Sequence, residues 1–252
     1  MLIQASALRV EFDGFRAVDD LDLTVQEGEL LGIAGTNGAG KSTVFGAIAG
    51  QVSPCTGSIL FAGTDITRMS IHRRARMGLA RTFQVPREFG ELTVQENLLA
   101  AARNDRHETL LAAWVRRSAA EQADAALRDQ ADQWLALTGL TAQASTLAAN
   151  LSGGQKKLLE LARAMMTQPR CILLDEPFAG VNPVLIEQLI RVLQTIHDRG
   201  ITLIIIEHHL RALRGLVSRL IVMDQGRIIA QGPPAKVLDD PRVAHAYMGG
   251  IV

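Results

Sequence analysis

Residues 30–43 read LLGIAGTNGAGKST. Leu30–Ala34 is a compact apolar run of the kind that forms a buried parallel strand. A helix is expected to start at Lys41. Between them, Gly35-Thr36-Asn37-Gly38-Ala39-Gly40-Lys41-Ser42 fits the phosphate-binding pattern GxxxxGK[ST]. Glycines let backbone N–H groups turn inward around phosphate oxygens, and the helix N-terminus adds partial positive charge. Lys41 would reach the β- and γ-phosphates, and the Ser42 hydroxyl would ligate Mg²⁺. The candidate nucleotide-binding residues here are Gly35, Asn37, Gly38, Ala39, Gly40, Lys41, Ser42 and Thr43. A glycine-rich loop can also merely turn a corner; the strand–loop–helix context favours the phosphate reading.

Such a loop needs a second, acidic strand. Cys171-Ile172-Leu173-Leu174 runs into Asp175-Glu176. Asp175 would help hold Mg²⁺, and Glu176 would orient and polarise the attacking water, since phosphoryl transfer asks little else of the protein. Taken alone, two carboxylates at a strand end are a surface pair.

The bulk numbers narrow the classes. The 252 residues are 48% hydrophobic and 21% charged, ordinary for a globular protein. Lys plus Arg and Asp plus Glu both number 26, so there is no basic surplus of the kind nucleic-acid binders show. Cys55 and Cys171 are too far apart in sequence for a metal or redox motif and read as reduced structural residues. The start, MLIQASALRVEF, shows no signal-peptide pattern. The apolar runs at 201–206 and 220–223 fall well short of the roughly 20 residues needed to span a bilayer. Any membrane role is therefore expected to come from a partner.

Thr202–Ile206 reads as a further buried strand. A helix from Pro183 precedes it, with Asn182 able to cap it and Gly200 following its end. Residues 220–232, LIVMDQGRIIAQG, read as two strands joined by a tight turn at Asp224–Gly226. From Thr93 to Leu140 the chain is rich in Ala, Leu, Gln and Arg without β-branched runs, hence helical. The expected fold is α/β: a P-loop ATPase core with an antiparallel β element (1–85 and 151–252) and an inserted helical lobe (86–150).

Leu151-Ser152-Gly153-Gly154-Gln155 resembles the signature motif of ABC transporter ATPases. It precedes the acidic strand in the usual order, in LSGGQKKLLELARAMMTQPRCILLDEP at 151–177. Physically it is another helix start suited to an anion, with a hydroxyl and two glycines that permit close approach. A plain capping role for Ser152 is compatible with that. The resemblance implies that Ser152, Gly153, Gly154 and Gln155 face the γ-phosphate held by a second ATPase subunit, a homologue or a copy of this chain, with two ATPs sandwiched between them. It also gives weaker positions a role. Phe12 matches the aromatic residue that stacks on adenine, though Tyr is commoner there; alone it would read as core. Gln84 matches the glutamine that links Mg²⁺ and the γ-phosphate to the helical lobe. His208 matches the histidine that contacts the γ-phosphate. His209 beside it suggests a metal pair only superficially, because neighbouring residues on a strand point apart.

Within that family the chain resembles the ATPases of branched-chain amino acid uptake systems and their urea or amide relatives. The matching stretches are Arg76–Gln84, Phe89–Asn97, Ala179–Pro183, Ile206–His208 and Pro241–Gly249. Asn182 stands where most of the family has aspartate, as this subfamily often does. Thr36, Lys156-Lys157 and His209 also depart from the common pattern. The nearest rival, the ATPase of lipopolysaccharide export, usually reads Tyr-Leu-Pro-Gln and Asp-His where this chain has Thr82-Phe83-Gln84 and Glu207-His208. A non-transport ABC ATPase usually carries two cassettes or a long coiled coil, and neither is seen. The resemblance implies two transmembrane permease subunits, a periplasmic or extracellular solute-binding protein, no nucleic acid, and a peripheral place on the cytoplasmic face of the inner membrane. Val85, Pro86, Phe89 and Leu92 are candidates to meet a permease helix, or equally to pack between the lobes.

Overall fold

The computed structural model describes residues 1–82, 87–102, 117–208 and 210–248. The chain falls into two compact units. The first comprises 1–84, 169–179 and 193–252, and the second 85–168 and 180–192.

The first unit holds two sheets. One is antiparallel, in the order β2-β1-β4-β5, from β1 (Ile3–Phe12), β2 (Phe15–Val25), β4 (Thr56–Phe61) and β5 (Thr64–Asp65). Its amphipathic pattern is clear in β2, where Leu21, Leu23 and Val25 are buried while Asp20, Asp22 and Thr24 are exposed, the period-2 alternation of a half-buried strand. The other sheet runs β10-β9-β3-β8-β7-β6. Its strands are β3 (Leu30–Gly35), β6 (Leu79–Arg81), β7 (Cys171–Asp175), β8 (Thr202–Ile206), β9 (Arg219–Asp224) and β10 (Arg227–Gly232). Every pair is parallel except β9–β10. β3, β7 and β8 are buried at every residue, which explains why they are apolar apart from Asp175 at the end of β7 and Thr202 at the start of β8. The β9–β10 hairpin turns through Gln225 (φ 45°) and Gly226 (φ 78°), where the sequence places its tight turn. Helix α1 (Lys41–Ala49) packs its buried Phe45 and Ile48 into one core with Phe61, Ile33, Leu173 and Ile204.

The second unit is helical: α2 (Val94–Ala101), α3 (Arg117–Thr138) and α4 (Gly153–Met166), with short 3-10 turns at Thr141–Gln143 and Ala148–Asn150. The Thr93 side chain caps α2 in a reciprocal box with Glu96. Asn97 is fully buried. Its side chain donates to the carbonyls of Phe89, Leu92 and Thr93 and accepts from the Phe89 N–H, so one amide fixes the 89–93 turn. This unit reaches beyond the 86–150 lobe expected from sequence. The amphipathic α4 packs against α2 and α3, with Leu158 and Leu159 on its buried face, and so groups with them.

Candidate nucleotide site

The cradle begins where β3 ends. Gly35 (φ 149°) lies so close to β9 that a Cβ there would sit 2.2 Å from the Met223 carbonyl oxygen. At Gly40 (φ 93°) a Cβ would sit 2.3 Å from the Ala17 carbonyl oxygen. Only glycine fits either place. Gly40 also offers no side-chain cap to α1, so the first helical N–H groups face the loop as a locus of positive potential. Lys41 is 5% exposed. Its Nζ donates to the carbonyls of Gly35 (2.9 Å) and Thr36 (2.8 Å), so the ammonium lies across the loop. Burial lowers its pKa from 10.5, while the charges of Glu176 and Asp175 act in the opposite sense.

A cavity of about 320 Å³ adjoins this loop. Asn37–Thr43 forms one wall, Phe12 and Phe15 another, and Glu176 with His208 a third. Phe12 and Phe15 face each other as partners across the β1–β2 hairpin. Both are exposed, at 47% and 66%. The resemblance points to Phe12 alone; the tight turn at Asp13-Gly14 between two phenylalanines is the signal for Phe15.

β7 and β8 are neighbours with Asp175 opposite Ile206, so the residues that follow them converge. Glu176 adopts φ 50° and donates its N–H to the Ile206 carbonyl at 3.0 Å. Its Oε1 lies 2.6 Å from His208 Nε2. Glu207, 1% exposed, accepts the Phe178 N–H at 2.8 Å and the His208 N–H at 3.0 Å. It ties together the two loops that carry Glu176 and His208. Asp175 is held by Arg81, whose Nη2 is 2.9 Å from Asp175 Oδ2. The sequence alone gives Glu207 and Arg81 no role at the site, because a lone acid or base beside a motif carries no signal until the fold supplies its partner.

Phe12, the loop from Gly35 to Thr43, Asp175, Glu176 and His208 are thus assembled in the first unit. Ser152–Gln155 belongs to the second. Ser152 caps α4 by accepting the Gln155 N–H (3.3 Å), and Gln155 Oε1 accepts the Ser152 N–H (2.9 Å). Gly153 is exposed with nothing within 4 Å of a Cβ added there, whereas a Cβ on Gly154 would strike Leu185 at 1.9 Å. Asn182 Oδ1 accepts the Leu185 N–H at 2.9 Å, capping α5 (Pro183–Asp198). Gln84, Val85, Pro86 and His209 lie outside the described residues.

The profile of the family described as "ABC transporter" matches residues 18–179. That of "Branched-chain amino acid ATP-binding cassette transporter" matches 227–251. The chain is 36% identical over 251 residues to the high-affinity branched-chain amino acid transport ATP-binding protein LivG of Escherichia coli, covering 98% of each. It is 35% identical over 249 residues to BraF of Pseudomonas aeruginosa, described in the same words, again covering 98% of each. The lipopolysaccharide export ATP-binding protein LptB of Escherichia coli is 33% identical over 249 residues, covering 98% of this chain and 97% of LptB. A nucleotide-free ATP-binding cassette from an ABC transporter superposes with a TM-score of 0.84 at 34% identity, over 98% of both chains. With a phosphate cradle, an acidic strand end and an ABC signature in one chain, and with these relatives along nearly its whole length, the protein belongs to the ATP-binding, ATP-hydrolysing subunits of ABC transporters.

Proposed function

We propose that the cradle binds Mg-ATP and that Glu176 is the carboxylate that activates water for attack on the γ-phosphate. The observation that carries this reading is the Glu176–His208 pair on the cavity wall beside the Lys41 loop. Lys41 leaves the Gly35 and Thr36 carbonyls for the β- and γ-phosphates, whose charge its buried ammonium offsets. Glu176 Oε1 accepts a hydrogen bond from the water and orients it. His208, beside it, donates to a γ-phosphate oxygen, and Phe12 stacks on the adenine. Little more is required than positioning and charge stabilisation.

The donor set suits Mg²⁺. The Ser42 hydroxyl and Asp175 carboxylate are hard oxygen ligands, and no group of three His, Cys, Asp or Glu side chains forms a metal cage among the described residues. That matches an ion bound through one or two protein oxygens, water and substrate phosphates. Ser42, Asp175 and Gln84 would hold it, and bound there it would neutralise phosphate charge.

A complete site needs Ser152–Gln155 of a second ATPase subunit. No helix among the described residues is long and apolar enough to cross a membrane. Membership of the ABC transporter ATPases supports two permease partners and a peripheral place on the cytoplasmic face. The solute is a branched-chain amino acid, delivered by a solute-binding protein. The names of LivG and BraF support this, as do the C-terminal profile match and the residues Thr82-Phe83-Gln84 and Glu207-His208. The test is co-expression with the permease genes that neighbour its own, then reconstitution into proteoliposomes. ATP-dependent leucine uptake with the cognate binding protein is expected. Absence of uptake together with ATP-driven lipopolysaccharide release would replace the import reading by the export one.

A further inference from the structure

We propose that Arg81 is a resident counter-cation of Asp175, one that holds this carboxylate until a divalent ion takes it. In that role it sets how steeply nucleotide binding depends on Mg²⁺. Arg81 is the last residue of β6, in parallel register with Leu173 of β7. Its side chain therefore runs along β7 to the strand end, where Nη2 meets Asp175 Oδ2 at 2.9 Å. The guanidinium is tethered on two further sides. Nη1 donates to Gln51 Oε1, and the group lies 5.9 Å from the centroid of the Phe45 ring on α1. Arg81 and Asp175 side chains are only 14% and 10% exposed. An ordinary surface pair would be weak and screened; this one is rigid and partly desolvated, where a charge acts several times more strongly than in water.

The consequence follows from charge alone. Metal-free ATP is a polyanion arriving beside Asp175 and Glu176, and the Arg81 cation offsets that repulsion. Mg²⁺ approaching Asp175 meets the same cation as a competitor. Arg81 therefore strengthens metal-free binding and weakens recruitment of the metal, and its removal moves the two in opposite directions. A guanidinium that only braced β6 against β7 would shift both affinities together.

This inference rests on the nucleotide reading above, and one titration separates the two. A fluorescent ATP analogue is titrated into the full chain in EDTA and again in excess MgCl₂, and the readout is the Kd in EDTA divided by the Kd in MgCl₂. Arg81→Met and the gentler Arg81→Gln are expected to raise that ratio by about tenfold, while Arg81→Lys, which keeps a cation, stays near wild type. An unchanged or smaller ratio in Arg81→Gln, whatever its thermal midpoint, overturns the proposal. Lys41→Ala in the same assay addresses the cradle itself. If it binds like wild type in both media, the nucleotide reading fails; if it loses binding in both, that reading stands and the Arg81 ratio decides the rest.

Discussion

Nε2 of His208 lies 2.6 Å from Oε1 of Glu176, although 32 residues separate them in the chain. The contact is a product of topology. β7 and β8 are parallel neighbours, so whatever follows Asp175 and Ile206 meets at one end of the sheet, where open α/β sheets place their ligands. Glu176 is held in a left-handed conformation, and Glu207 receives the N–H groups of Phe178 and His208. The backbone that carries the pair is therefore held in place, and the side chains are left to exchange partners.

His208→Ala removes the imidazole without touching the cradle. Steady-state phosphate release is expected to fall by about 10²-fold, with ATP affinity close to wild type in a fluorescence titration. A loss of affinity without a loss of turnover would assign His208 to binding instead.

Lys41→Ala takes away the ammonium that lies across the loop. Its loss is expected to raise the Kd for ATP by about tenfold to a hundredfold, the range for a buried charge-assisted hydrogen bond. Calorimetry giving undiminished affinity would contradict the phosphate-cradle assignment.

Two glycines of the same loop separate strain from collision. Gly38→Ala meets nothing within 4 Å and suffers only its positive φ of 80°, at a cost of about 1 kcal/mol. Gly40→Ala drives a Cβ into the Ala17 carbonyl oxygen, backbone that cannot yield, and should cost about 2–4 kcal/mol. Urea unfolding of the two variants checks the order.

The sequence makes some of this legible and some not. Strand–loop–helix punctuation places β3, α1 and the cradle, and the apolar run into Asp175 places β7, because buried parallel strands and phosphate loops each constrain consecutive residues. The β9–β10 turn is similarly local. Arg81 and Glu207 act through partners distant in sequence, and no local pattern announces them. Arg74 is the clearest case. An arginine in a basic stretch reads as solvated surface, yet it is 2% exposed. It donates to the carbonyls of Ala47, Ile48, Thr67 and Met69.

Two of those carbonyls, Ala47 and Ile48, close the C-terminal turn of α1, where a cation also complements the helix dipole. Arg74→Leu takes that donor from both, leaving Ala47 only the Gly50 N–H at 3.2 Å. A loss of about 2–4 kcal/mol in urea unfolding is expected; a change within about 0.5 kcal/mol, the size of an ordinary surface substitution, would mean that water replaces the guanidinium.

The most direct test of the central claim is Glu176→Gln, read by nucleotide binding and phosphate release on the same preparation. Gln keeps the size of the side chain but cannot carry the charge that polarises water. The variant is expected to bind Mg-ATP about as well as wild type while hydrolysis falls by about two or more orders of magnitude. With less repulsion beside the γ-phosphate, ATP-bound subunits should stay associated in light scattering. Hydrolysis at a near wild-type rate would show that Glu176 is not the activating carboxylate and would contradict the account.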